Sequence, residues 1–505
     1  MTLYNILPAC DVITTGTLVV CLVAFYVAYK IIRHSTSRLP PGPIGLPVIG
    51  NIITVVASSI RGEHPHDLMT RLADKYGKVF SLGLGSSTRL VVLNDFASVS
   101  EAYRNQDITG RPDNDVIVRG LGAHGVLSSS GETWKHQRRF SLSVFRSFGV
   151  GKRSFEDRII AEVDFLSQEI TALNGAKFNP KHYLMNATSN IICSVIFGDR
   201  YNYNDVEFKR ILSILDSRIQ LTGSGALIVF VPLLRLFSPG TVTKMIKIMN
   251  NQVEYFKTIV TNHKFQLAST NECNDFIDLY LKEIEKNQHQ PEADDFVDDK
   301  HLLALIDSLF LAGTETSSNT LGWCLLYMAE NPDVQKRIQE EITSVCGERT
   351  PSFADQQNMP YTEAVILEVQ RLHTIVPLGV PHCANNDTAI RGYEIPKDSV
   401  IISNLWGVLH DPEVWSDPNV FKPERFLGKD GQVDLPKEWI PFSTGRRVCL
   451  GERLAKMEIF VFLTHLLNRY TFKKPDDENK PSTFEGRSGA TFSPLTYHVT
   501  ASPRN

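Results

Sequence analysis

Between Lys300 and Glu330 only Asp307 and Glu315 are charged. Leu302, Ile306, Leu309, Gly313, Thr316, Thr320 and Cys324 recur at steps of three and four, which places them on one stripe of a helix. A helix so poor in charge has to be wrapped by other elements. A second membrane span is the rival reading. Against it, Asp307, Ser308 and the run Thr314 to Asn319 put a polar cluster at mid-length.

The rest of the chain fits a large body around such a helix. The sequence has 505 residues. Beyond residue 50 it shows no Gly/Ser linker, no repeat and no long charge block. Lys286 to Lys300 is the most polar stretch and reads as a solvated loop. Apolar residues at helical spacing dominate. Shorter alternating runs predict strands at Lys78–Leu82 with Arg89–Val92, and at Thr388–Ile395 with Ser399–Ser403. The expected fold is mainly α with a small β-sheet subregion, as one domain over residues 51–505. Lys+Arg 52 against Asp+Glu 56 lacks the basic excess of a nucleic-acid binder. The eight cysteines stand singly with no CxxC pair, which excludes a small disulfide scaffold and tetrahedral zinc spacing.

Val12 to Tyr29 is 18 residues without a charge. As a helix it would be about 27 Å long against a bilayer core of about 30 Å. Lys30, Arg33, His34 and Arg38 follow the apolar run, the reverse of a cleaved signal peptide. Residues 1–37 are therefore expected to be a single-pass anchor with its basic flank and all that follows on the cytosolic side. The proline-rich segment 38–50 is expected to be a stiff, extended hinge.

Chemistry concentrates in Phe442-Ser-Thr-Gly-Arg-Arg-Val-Cys-Leu-Gly-Glu-Arg-Leu-Ala455. Gly445 and Gly451 flank Cys449, and a helical run begins just after it. A helix amino terminus favours a thiolate, and a thiolate so placed can ligate iron. Phe442, Gly445, Arg447, Cys449 and Gly451 form an FxxGxRxCxG pattern that resembles the haem-binding loop of the cytochrome P-450 family. Three further motifs follow that family in the right order. Glu368-Val-Gln-Arg371, alone an ordinary surface pair, comes before Pro423-Glu-Arg-Phe426; the resemblance makes Glu368, Arg371 and Arg425 a structural triad. Ala312-Gly-Thr-Glu-Thr-Ser317 lies on the long helix, where the family places an acid and a threonine, here Glu315 and Thr316, on the oxygen side of the haem. Trp134-Lys-His-Gln-Arg138 resembles the family's W-x-x-x-R helix. Trp134 and Arg138, with His382, Arg111 and Arg447, are implied as contacts to the haem propionates.

The resemblance covers roughly residues 38 to 500 and, with the anchor, points to the animal microsomal group. It implies haem b, with Cys449 as axial iron ligand and Glu315 and Thr316 as catalytic residues. The expected activity is insertion of one oxygen atom of O2 into a lipophilic substrate, by hydroxylation or epoxidation. No flavin or nicotinamide fingerprint appears, so electrons are expected from outside this chain; the resemblance implies NADPH-cytochrome P-450 reductase as their donor, with cytochrome b5 a further partner. Lys135, Arg138, Arg139, Arg446 and Arg453 are candidates for the docking face. Val126, Phe310, Ala312 and Val380 are expected in the substrate pocket. The apolar stretch 226–237 is read as a core helix or a second lipid contact. The implied location is the endoplasmic reticulum membrane. The alternatives are a haem-thiolate isomerase and a non-catalytic membrane haem- or steroid-binding protein.

Overall fold

In the computed structural model, the long low-charge segment is a helix over Asp299–Glu330, buried along nearly its whole circumference. The structure describes residues 38–504 apart from 86–87, 113–123, 231–237, 290–293 and 476–483, together with Thr17 and Cys21; for 222–230 it describes the backbone alone. The expected anchor over 1–37 therefore lies outside the described residues, those two apart. Among the described residues no helix is long and apolar enough to cross a membrane.

Helices come in chain order as α1 (Ile52–Ile60), α2 (Pro65–Tyr76), α3 (Phe96–Arg104), α4 (Gly131–Ser147), α5 (Arg153–Ala172), α6 (Pro180–Ile196), α7 (Val206–Phe230), α8 (Pro239–Thr270) and α9 (Phe276–Gln288). The central α10 (Asp299–Glu330) precedes α11 (Pro332–Cys346), α12 (Pro360–Leu372), α13 (Leu405–Leu409) and α14 (Glu452–Arg469). Local chemistry sets the limits of α10. Asp298 accepts a hydrogen bond from the His301 amide as N-cap, and Pro332 opens the next helix just after Asn331.

Around α10 pack α6, α8 and α14. The α6 contact is close because its partners are small. Thr188 donates to the Thr314 carbonyl at 3.1 Å, and a Cβ added at Gly313 would come within 2.9 Å of Ile192. Gly313 thus serves the approach of α6.

The strands are β1 (Val79–Leu84), β2 (Thr88–Leu93), β3 (His382–Cys383), β4 (Thr388–Ile390), β5 (Tyr393–Ile395), β6 (Val400–Ser403), β7 (Tyr470–Lys473), β8 (Gly486–Ser488), β9 (Phe492–Pro494) and β10 (Thr500–Pro503). The largest sheet has the order β1-β2-β6-β3. β1 and β2 pair antiparallel as expected, with Val79 opposite Leu93. The second expected pair differs. Residues 388–395 are no single strand: Arg391 and Gly392 both take positive φ and fold the segment into the β4–β5 hairpin. Val400–Ser403 instead runs parallel to β2.

Residues 38–50 are not a free spacer. Ser81 donates from its amide to the Pro41 carbonyl at 2.7 Å and from its hydroxyl to the Pro40 carbonyl at 2.9 Å, docking the segment along β1. Of the stretch 226–237, residues 226–230 continue the backbone of α7, and 231–237 lie outside the described residues. The polar stretch 286–300 begins as the end of α9 and includes a buried Val297.

Candidate functional site

The loop ahead of α14 is shaped by two left-handed residues, Ser443 at φ 64° and Gly445 at φ 78°. A side chain at Gly445 would strike the Tyr103 carbonyl of α3, 2.2 Å from an added Cβ. The Cys449 amide donates back to the Phe442 carbonyl at 3.0 Å and closes the loop. Gly451 takes an ordinary φ of −91°, and a Cβ there would meet nothing within 4 Å. No contact among the described residues requires that glycine.

Cys449 is exposed by area, yet it lies deep among protein atoms. The two agree if the thiol lines an internal space. Burial pushes its pKa up; the Gly451 and Glu452 amides and the Arg138 guanidinium pull the other way. A bound metal ion would overcome the burial and leave the sulfur deprotonated. A second opening into the interior lies on α10. Ala312 is exposed and Leu311, Gly313 and Thr316 are partly exposed, on a helix otherwise buried from residue 301 to 328. The Thr316 hydroxyl donates to the Ala312 carbonyl at 2.7 Å, a back-bond that bends helices.

Glu315 is buried and points elsewhere. Its Oε1 accepts from Asn319 at 2.8 Å and Thr491 at 3.0 Å, and burial raises its pKa. The neighbouring Ser317 donates to Glu458 of α14 at 2.6 Å, where burial pushes the Glu458 carboxyl up to about 8. Neither Glu458 nor Thr491 stood out in the sequence. Asn319 could have, since it follows Glu315 at helical i, i+4 spacing.

Arg111, Arg138 and Arg447 converge near the cysteine loop. Arg447 stacks over the Trp134 ring at 4.2 Å and donates to the carbonyls of Thr109 at 2.7 Å and Ser129 at 2.6 Å. Its Nη1 is buried without a hydrogen-bond partner among the described residues. Burial, then the charges of Arg111 and Arg138, push it down to about 8. Arg111 donates to the carbonyls of Leu127, Val380 and Pro381, and burial lowers it to about 10. Among the described residues no carboxylate forms an ion pair with any of these three cations. Buried like charges of this kind call for an anion.

His382 stacks on Tyr103 and turns Nδ1 to the Ile108 carbonyl at 2.8 Å. The neutral ring then presents Nε2 as an acceptor, so only the imidazolium would offer a donor to an anion there.

Glu368 and Arg371 are fully buried on α12. Arg371 holds Glu368 in a fork at 2.7 and 3.0 Å, and Arg425 reaches the same carboxylate at 3.0 Å. The Lys422 amide adds a fourth bond at 2.9 Å. A charge so enclosed is compensated on every side.

Of the expected pocket residues, Val126 and Val380 are partly exposed. Phe310 is displaced from that set. It is fully buried against Phe197 and Phe256, on the opposite side of α10 from Ala312. The next residue, Leu311, is partly exposed instead, one step along a helix that turns about 100° per residue. In the basic set, Lys135, Arg139, Arg446 and Arg453 are exposed, Lys135 pairs with Glu132, and Arg138 turns inward toward Cys449.

The residues present thus fit a flat, dianionic, iron-bearing group: a deep yet accessible thiol and an exposed stretch of an otherwise buried helix, with three guanidiniums that pair with no carboxylate among the described residues. Residues 40–501 match the family described as cytochrome P450. The chain is 39% identical to cytochrome P450 2U1 of Mus musculus, over 97% of this chain and 96% of that one. It is 39% identical to cytochrome P450 2J5 of Mus musculus, with coverages of 97% and 96%. With cytochrome P450 2J2 of Homo sapiens it shares 37% identity over 98% of this chain and 97% of the relative.

Proposed function

Because the chain belongs to the cytochrome P450 family, and is therefore a haem-thiolate monooxygenase carrying haem b, we propose how its own residues divide that work. The reading rests above all on three guanidiniums, that of Arg447 buried and those of Arg111 and Arg138 partly so, with no acid partner among the described residues, beside a deep but accessible thiol. Cys449, held by its loop at the start of α14, would bind the haem iron through its sulfur. Arg111, Arg138 and Arg447 receive the propionates, with Trp134 as the stacking platform beneath Arg447. His382 joins them only as an imidazolium, which burial and the charge of Arg111 disfavour until an anion is present. Phe442 and Gly445 shape the loop, Gly451 leaves room for the haem beside it, and Glu368, Arg371 and Arg425 brace the body beneath it without a part in the chemistry.

The haem supplies the oxygen-activating chemistry when bound. Thr316 orients a proton donor at the opening on α10, and Glu315 keeps that donor supplied. Val126, Leu311, Ala312 and Val380 bound the substrate space, whose apolar character selects a lipophilic molecule. The electron donor is NADPH-cytochrome P-450 reductase, with cytochrome b5 a second candidate, docking on the face that carries Lys135, Arg139, Arg446 and Arg453. Residues 1–37 tether the protein to the endoplasmic reticulum membrane, with residues 51–505 in the cytosol. The test combines the purified protein with reductase and a panel of fatty acids and steroids. At least one lipophile should shift the iron to high spin and form an oxygenated product at the expense of NADPH. Spin shifts with no product from any lipophile would contradict the reading.

A further inference from the structure

The polar side chains beside α10 close into a ring. Asn319 donates from Nδ2 to Glu315 Oε1 at 2.8 Å and to Thr491 Oγ1 at 3.1 Å. Thr491 in turn donates to Glu315 Oε1 at 3.0 Å. All three residues are buried, and Glu315 Oε2 is buried without a partner among the described residues. An amide nitrogen has two hydrogens and a hydroxyl one, so the ring uses every donor it holds. Both lone-pair sites of Oε1 are occupied. A proton on this carboxyl has one place left, Oε2.

The ring is anchored from outside α10. Thr491 sits in the turn between β8 and β9, where its carbonyl accepts from the Gly489 amide at 2.8 Å. The next amide, Phe492, donates to the Ile375 carbonyl at 2.7 Å. The hydroxyl therefore arrives on a fixed backbone. The charged groups that face Glu315 are Lys181 on α6 and Asp216 on α7, themselves paired at 2.8 Å. The first favours the carboxylate and the second the acid, while burial favours the acid.

We propose that Thr491 is a positioning residue for proton supply: with Asn319 it ties down Oε1 and leaves Oε2 as the only proton carrier of Glu315. The proposal rests on reading Glu315 and Thr316 as the proton-handling pair. In the transfer, the Oε2–H bond breaks and an O–H bond forms on an acceptor water. The carboxylate left behind keeps both bonds to Oε1, so the ring need not rearrange. Without Thr491, Oε1 has a free site and the proton can move there, where it is aimed wrongly.

The test is infrared spectroscopy of the full-length holoprotein, joined to coupling assays with reductase. The lipophile giving the largest spin shift among a panel of fatty acids and steroids serves as substrate. The acid carbonyl band of Glu315 is the one lost in Glu315→Gln. It should move to higher frequency in Thr491→Val and return in Thr491→Ser. Product per NADPH should fall about tenfold in Thr491→Val, the scale of one lost hydrogen bond, with peroxide rising. Thr491→Ser should recover it, and Thr491→Val should cost nothing further in the Glu315→Gln background. If Thr491→Val yields no holoprotein, Thr491→Ala carries the same expectations. An unmoved carbonyl band, or unchanged coupling in Thr491→Val alongside poor coupling in Glu315→Gln, overturns the proposal. Wild-type coupling in Glu315→Gln overturns instead the proton-handling reading beneath it.

Discussion

At the scale of single residues, the site is a matter of which oxygen or nitrogen faces where. Thr316 shows this. Its hydroxyl back-bonds to Ala312, yet its side chain stands at an opening in a helix that is otherwise wrapped. Thr316→Ala removes the donor and little volume, so haem binding and the ligand-induced spin shift should survive. General acid–base assistance is worth about a hundred- to ten-thousand-fold in rate. Product per NADPH should therefore drop steeply while peroxide rises; an unchanged ratio across substrates would make Thr316 a packing residue. The residue scale is also where sequence reading reaches furthest and then stops. The types and spacing at Cys449, Glu368 and Thr316 were legible because each motif is local. The facing of Phe310 was not, because one residue turns a helix by about 100° and only the neighbours α6 and α8 decide which side is filled. Thr491 was invisible for another reason: its partner Glu315 lies far away in sequence and nothing local marks it.

At the scale of elements, α10 could be placed from its helical spacing, α14 from the helical run after Cys449, and α4 from the motif the family shares. The strands could not be paired so well. Alternation announced 388–395, but two positive-φ residues, Arg391 and Gly392, break it into a hairpin. The joining of β6 to β2 depends on the whole sheet. A further element-scale device joins α8 to α9. His263 turns Nδ1 to the Ile259 carbonyl at 2.9 Å and Nε2 to Asp275 at 2.8 Å. Two acceptors require two ring protons. Burial opposes the charge, but the bond to Asp275 outweighs it and brings the imidazole up to about 9 from 6.5. A raised folded pKa stabilises fully below the unfolded value and loses that contribution as pH climbs through the folded one. The thermal midpoint of the wild type should exceed that of His263→Gln most at pH about 6, and the gap should close toward pH about 9. A gap that stays constant over this range would show that the pair is not charged.

At the scale of the whole molecule, the large helical body was legible from one low-charge segment and the absence of linkers. The docking of residues 38–50 on β1 was not, because prolines reveal stiffness and say nothing of where a stiff segment lies. Topology can be read from the two N-x-[ST] sequons. Asn186 sits on α6 beside the buried Thr188, so its silence would mean little. Asn386 is exposed, and a cytosolic body should leave it unglycosylated in a eukaryotic host. Endoglycosidase-sensitive mass there would reverse the orientation.

The account as a whole stands on Cys449 holding the haem iron through its sulfur. The most direct measurement is the carbon monoxide spectrum of the reduced full-length protein, in the wild type and in single alanine variants of each cysteine. The strongly red-shifted Soret band of thiolate ligation should appear in the wild type and in every variant except Cys449→Ala. A red-shifted band that persists in Cys449→Ala, or its absence from the wild type, would contradict the account.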